Sequence, residues 1–131
     1  LNNYDVTVLD NESFKFKRLN LIGISDNLTL ETQKNIASRL IQEDLFNLIL
    51  VHKPSLWDHV YEKTDLMLSG NTHNGQIFPF NFFVRLQFKN IYGLYEKLTS
   101  KLYVSSGSGC WGPKMRLGTK NEVVDILISK N

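Results

Sequence analysis

The sequence predicts an α/β fold that finishes in antiparallel strands, and three observations carry that prediction. Short apolar runs at residues 21–24, 46–51 and 66–68 alternate with segments of helical periodicity, the pattern of strands joined by helices within one sheet. The last two runs end in His52 and in a Gly/Asn/His turn, the strand ends beyond which α/β folds build their sites. The remainder of the chain changes character, to a hairpin-like pair of runs, a glycine-rich turn and a last β-branched run.

Element by element, residues 6–9 and 14–25 are β-prone, and the Asp10-Asn11-Glu12-Ser13 cluster between them is turn chemistry, so an early strand pair is expected. The basic run 15–18 alternates with Phe14 and Phe16, which suits a strand with one solvated face better than a phosphate patch. From Thr29 to Leu45 the apolar residues Ile36, Ala37, Leu40, Ile41 and Leu45 recur at helical spacing, with Thr29 as the cap. Residues 46–51 suit a strand buried on both faces. Ser55 and Asp58 then suggest a capping box that opens a short helix running to about Lys63. Residues 66–68 form a further buried strand, residues 94–98 and 101–105 a hairpin, residues 107–112 a tight turn, and residues 123–128 a closing strand.

A chain of 131 residues has the size of one domain, and nothing in it marks a linker or an internal repeat. At 42% hydrophobic and 21% charged, it has a globular composition, without a run long enough to span a bilayer. A net charge of +2 with scattered Lys and Arg indicates no nucleic-acid partner. The single cysteine, Cys110, excludes an internal disulfide and fits a cytoplasmic compartment. Leu1 stands where a methionine would begin a translated chain, so a truncated or processed product is expected.

Of three histidines, His52 and His73 lie where strands pass into loops, whereas His59 falls inside the short helix and reads as structural. Consecutive strand ends are often neighbours in space, so His52 and His73 are candidates to converge, as metal ligands or as hydrogen-bonded structural residues. Between Ser69 and Gln76, Gly70 and Gly75 lie among short polar side chains, in a loop whose backbone can approach a ligand closely. Asp26 and Asp65 lie near these segments but suit turn and capping roles.

Leu50-Val51-His52-Lys53-Pro54 resembles the fourth motif of the calcineurin-like metallophosphoesterases, a hydrophobic strand ending in histidine with proline two residues on. Gly70-Asn71-Thr72-His73-Asn74-Gly75-Gln76, followed by Ile77-Phe78-Pro79, is similar to their last metal motif, Gly-His-Thr-His-Gly-Gly-Gln, in the membrane-associated or lipid-directed branch. The turn at 103–109, Arg116 and the run 122–127 also match the ending of that branch. The resemblance implies the C-terminal portion of a two-sheet α/β/β/α sandwich, with residues 1–131 as the later part of one domain. It implies two divalent ions, Mn²⁺, Fe or Zn²⁺, with His52 a ligand of one and His73 of the other. Asn71 stands where the family has histidine and is a weaker ligand, while Gly70, Gly75 and Gln76 shape the loop.

The family's Asp-x-His, Gly-Asp and Gly-Asn-His motifs do not occur here. The bridging carboxylate and the leaving-group acid are therefore expected from a missing N-terminal half. A chain with two histidines and an asparagine should bind at most one ion, weakly, and carry no catalytic residue of its own. The complete enzyme is expected to hydrolyse a phosphate ester or pyrophosphate bond of a small molecule or lipid. Its place is the cytoplasm or the inner membrane face, which the aromatic segment from Ile77 to Phe88 would touch. The alternatives are a non-catalytic binding or scaffold domain that has lost its metal site, or one half of a heteromeric enzyme.

Overall fold

The computed structural model describes residues 6–79, 83, 84, 86 and 89–129. Six strands, β1 (Glu12–Phe16), β2 (Leu19–Ile24), β3 (Phe46–Val51), β4 (Leu66–Ser69), β5 (Gly93–Lys97) and β6 (Ser100–Val104), form one sheet in the order β1-β2-β3-β4-β6-β5. β2, β3, β4 and β6 run parallel, and β1 and β5 close the two edges antiparallel. The α/β class and the antiparallel ending are as expected. The four parallel strands all end along one edge of the sheet, and every candidate ligand lies there.

The early strand pair exists but is placed differently. Its turn is at Lys17 and Arg18, with Lys17 at φ 54, inside the segment expected as one strand. Residues 6–9 form no strand but cross over Gly23, where a Cβ would lie 2.2 Å from the Leu9 carbonyl oxygen. Only glycine leaves room for that crossing. β1 exposes both faces, and Phe14 and Phe16 are half-exposed, so the basic run does not hide an apolar side.

Helix α1 (Leu30–Leu40) starts as expected, with the Thr29 hydroxyl accepting from the Thr32 N–H at 3.3 Å. It ends five residues before Leu45, and a buried amide pair explains why. Asn20 Nδ2 donates to the Leu40 carbonyl at 3.0 Å and to Asn47 Oδ1 at 2.9 Å. Asn47 in turn accepts from the Gln42 N–H and donates to the Gln42 and Leu45 carbonyls. These side chains satisfy the Leu40 carbonyl and the Gln42 backbone just beyond it, so the chain can leave the helix at Ile41, although Asn20 Oδ1 is itself buried without a partner.

Helix α2 (Trp57–Val60) is a single α-turn flanked by 3₁₀ turns at Pro54–Leu56 and Tyr61–Lys63. Ser55 makes no capping bond: Pro54, with φ already set for a first helical position, starts the turn one residue earlier. Asp58 instead lies 3.7 Å from Lys97 and 3.9 Å from Lys89.

The core occupies one face of the sheet. Ile22, Ile24, Ile49, Val51, Met67, Leu102 and Val104 pack against Ala37, Leu56, Trp57 and Val60 of the helical layer. The other face carries Leu48, Leu50, Leu66 and Leu68 by strand alternation, and at its edges Phe14, Phe16 and Leu94 are about half-exposed. No second sheet is formed among the described residues.

The hairpin β5–β6 is present, but residues 123–128 form no strand, and Val123 and Leu127 stay exposed. The segment after β6 is pinned by one carboxylate instead. Glu122 accepts from the Ser106 N–H at 2.8 Å and from the hydroxyls of Tyr92 and Tyr103 at 3.0 and 3.2 Å. Burial raises its pKa, but the Ser106 N–H, Ser105 and the two tyrosines together outweigh burial and hold it below the ordinary 4.5. A carboxylate lowered on folding stabilises above its unfolded pKa, and that contribution is lost as pH falls through the folded value. Thermal unfolding should therefore show an acid-side decline beginning near pH 4.5, and Glu122→Gln should flatten that decline; an unchanged profile would show that this carboxylate does not couple to folding.

Candidate metal centre

His52 is the first residue after β3, and its carbonyl accepts from the Gly70 N–H at 3.0 Å, so the two candidate segments are bonded at their roots. The loop after β4 then turns sharply. Asn71, His73, Asn74 and Gln76 all have positive φ, at 66, 49, 52 and 42°, beside Gly75 at 74°. Asparagine tolerates this region, but histidine and glutamine adopt it rarely. Such backbone persists only where its surroundings over-determine it.

The surroundings do so here. Buried Thr72 donates its hydroxyl to the Ile91 carbonyl, and the Gly75 N–H returns to the Thr72 carbonyl at 2.8 Å. Buried Gln76 donates to the Trp111 carbonyl at 2.7 Å and accepts from the Trp111 N–H at 2.6 Å. That side chain acts as a strand edge, holding the 111–113 segment against the loop. At Gly70 a Cβ would meet nothing within 4 Å, whereas Gly75 carries the positive φ of the pair.

His52, Asn71, Thr72, His73, Gly75 and Gln76 line one open cavity of about 730 Å³. Its other wall is apolar, made of Ile77, Phe83, Val84, Trp111 and Pro113. The cavity thus unites both histidines and Asn71, while exposed His59 on α2 lines no part of it. Trp111 is mostly exposed at the rim. Of the aromatic segment, Phe78, Phe83 and Leu86 are exposed, and Phe80, Phe82, Arg85 and Phe88 lie outside the described residues.

The His73 pKa is lowered, first by burial, then by electrostatic interaction with Arg116 and with His52. The shift favours the neutral ring, the form that ligates a metal. Of the two nearby carboxylates, Asp65 accepts from the Asn47 N–H at 2.7 Å. Asp26, two residues beyond β2, lies 3.0 Å from Lys53 through Oδ2, while its buried Oδ1 has no partner. Among the described residues no three His, Cys, Asp or Glu side chains come together as a metal site.

The long-range partners of Gln76 and Arg116 were not legible in the sequence, although both residues were singled out there. Gln76 reaches Trp111 across 35 residues and Arg116 reaches His73 across 43, separations over which no spacing rule operates.

The chain therefore has the class of an α/β domain with a histidine-lined cavity at its parallel strand ends. Over its whole length it is 36% identical to a protein of Helicobacter pylori strain J99 named "uncharacterized metallophosphoesterase", covering 38% of that protein. It is 48% identical over 82 residues to a Campylobacter jejuni protein of the same description, a match spanning 60% of this chain and 21% of the relative. It is also 35% identical over 85 residues to a Bos taurus transmembrane protein with a metallophosphoesterase domain, over 62% of this chain and 19% of that protein. No family model and no solved structure matches the chain. The chain is thus similar to a part of proteins named metallophosphoesterases, and it spans 38% of the length of the relatives it matches end to end.

Proposed function

We propose that this chain is the C-terminal part of a calcineurin-like metallophosphoesterase of the lipid-directed branch, and that it supplies the two-imidazole half of a two-metal site. The observation that carries the reading is the convergence of His52 and His73 on one cavity, from strand ends whose sequences resemble that family's last two metal motifs. Two imidazoles with an amide oxygen between them suit Mn²⁺, Fe or Zn²⁺, yet leave each ion short of ligands. The bridging aspartate and the leaving-group acid come from an N-terminal half of the same domain, and this chain alone is inactive. When bound, a metal pair neutralises phosphoryl charge and activates a water for in-line attack.

The partly open second face of the sheet supports the same reading. Mainly parallel sheets are normally covered on both faces, and opposite the helices Leu50, Phe14, Phe16 and Leu94 stay exposed, although Leu48 and Leu66 are buried. The missing half packs there.

The apolar wall of the cavity receives the non-phosphate part of the substrate, a phosphorylated small molecule or a lipid. With Phe78, Phe83, Leu86 and Trp111 exposed, a lipid presented at the inner face of a membrane is the substrate this surface suits best. Among the described residues no helix is long and apolar enough to cross a membrane. Assays of the full-length protein against a nucleoside-diphosphate lipid and a soluble phosphodiester test this: faster hydrolysis of the lipid is expected, and equal or slower hydrolysis would reject the lipid assignment.

Asn71→His tests the weak position. A third imidazole should tighten the ion shared with His52 by ~10-fold or more, the scale on which metal-site partners act, and raise phosphodiesterase turnover. If neither changes, Asn71 is not the weak ligand of this site.

A further inference from the structure

We infer that Arg116 is the positioning residue that holds His73 in the geometry a metal site requires. Its guanidinium is the hub of the C-terminal segment: Nη1 donates to the His73 carbonyl at 3.0 Å, and Nη2 stands 3.5 Å from His73 Nδ1. The same Nη2 donates to the Ser106 and Gly109 carbonyls at 2.6 and 2.7 Å, and Nη1 stands 3.4 Å from the Thr119 hydroxyl. One side chain thus ties the ligand loop after β4 to the glycine turn after β6.

The need for such a tie is local. His73 and Asn74 are consecutive residues in the left-handed region, a conformation that relaxes unless held. The His73 carbonyl is held by two donors, Arg116 Nη1 and the Gln76 N–H at 2.9 Å. A planar fork reaches the carbonyl, stands beside the ring nitrogen Nδ1 and bonds two further carbonyls besides, which a lysine ammonium cannot reproduce. By fixing the backbone that carries His73, Arg116 acts through that residue and does not touch the ion.

The inference rests on the reading of His73 as a ligand, so the experiment separates the two. In the full-length protein, Mn²⁺ affinity is measured for wild type, Arg116→Ala, Arg116→Lys and His73→Ala, and the His73 ring resonances are followed by NMR with those of His59 as internal reference. Arg116→Ala should weaken Mn²⁺ about 10–100-fold and shift the His73 signals while His59 stays put. Free guanidinium should restore part of the affinity, and Arg116→Lys should remain near the alanine level. If the alanine variant does not fold, the lysine variant carries the comparison. Wild-type affinity with unmoved His73 signals in either variant would overturn the proposal. If His73→Ala leaves Mn²⁺ binding unchanged, the metal reading falls, and the His73 signals in Arg116→Lys alone decide whether Arg116 positions that residue.

Discussion

Replacing His73 by alanine in the full-length protein should abolish phosphodiester hydrolysis and weaken Mn²⁺ binding by more than ~100-fold, beyond the ~10–100-fold that outer-sphere partners cost. The expectation follows from position. His73 has a lowered pKa that favours its neutral ring, is held at its carbonyl by two donors, and lines the same cavity as His52 from the neighbouring strand end. With Asn71 the only other candidate donor in the loop, neither ion has a spare imidazole to fall back on. His52→Ala should fall as far, because the ion it shares with Asn71 would keep only an amide from this chain. His59→Ala, outside the cavity, should leave turnover within twofold of wild type. Equal losses at His59 and His73 would mean that folding, not ligation, is being measured.

The second large effect concerns the platform beneath the site. Trp57→Ala should destabilise the fold by about 3–5 kcal/mol, the usual cost of emptying a buried aromatic position. Trp57 is 4% exposed, meets Tyr61 edge to face at 6.4 Å between centroids, and donates its indole N–H to the fully buried Ser100 hydroxyl at 2.9 Å. The mutation therefore opens a void in the core and also loosens the tie between α2 and β6. Trp57→Phe keeps most of the volume and loses that hydrogen bond, so it should cost much less. Chemical denaturation separates the two, and equal losses would place the whole effect on the indole N–H.

Much of the platform could be read from residue order because it obeys local rules. The apolar run 46–51 became β3, with the bounds expected of it, and Thr29 capped its helix as side-chain chemistry dictates. What failed depended on partners distant in sequence. The helix stops at Leu40 because Asn20 and Asn47 meet behind it, and the run 123–128, β-branched as it is, pairs with no strand. At the site, the segments bearing His52 and His73 were legible from strand-end position and family resemblance, and the parallel sheet brings them to one cavity. Trp111 and Pro113 entered that cavity only through the long-range bonds of Gln76.

The most direct test of the central claim is an anomalous difference map from crystals of the full-length protein grown with Mn²⁺. The account predicts two peaks about 3.5–4 Å apart, one within bonding distance of a His52 ring nitrogen and the other of a His73 ring nitrogen, with aspartates from the N-terminal half completing both. A map with no peak in the cavity, or with peaks whose ligands include neither histidine, would contradict it.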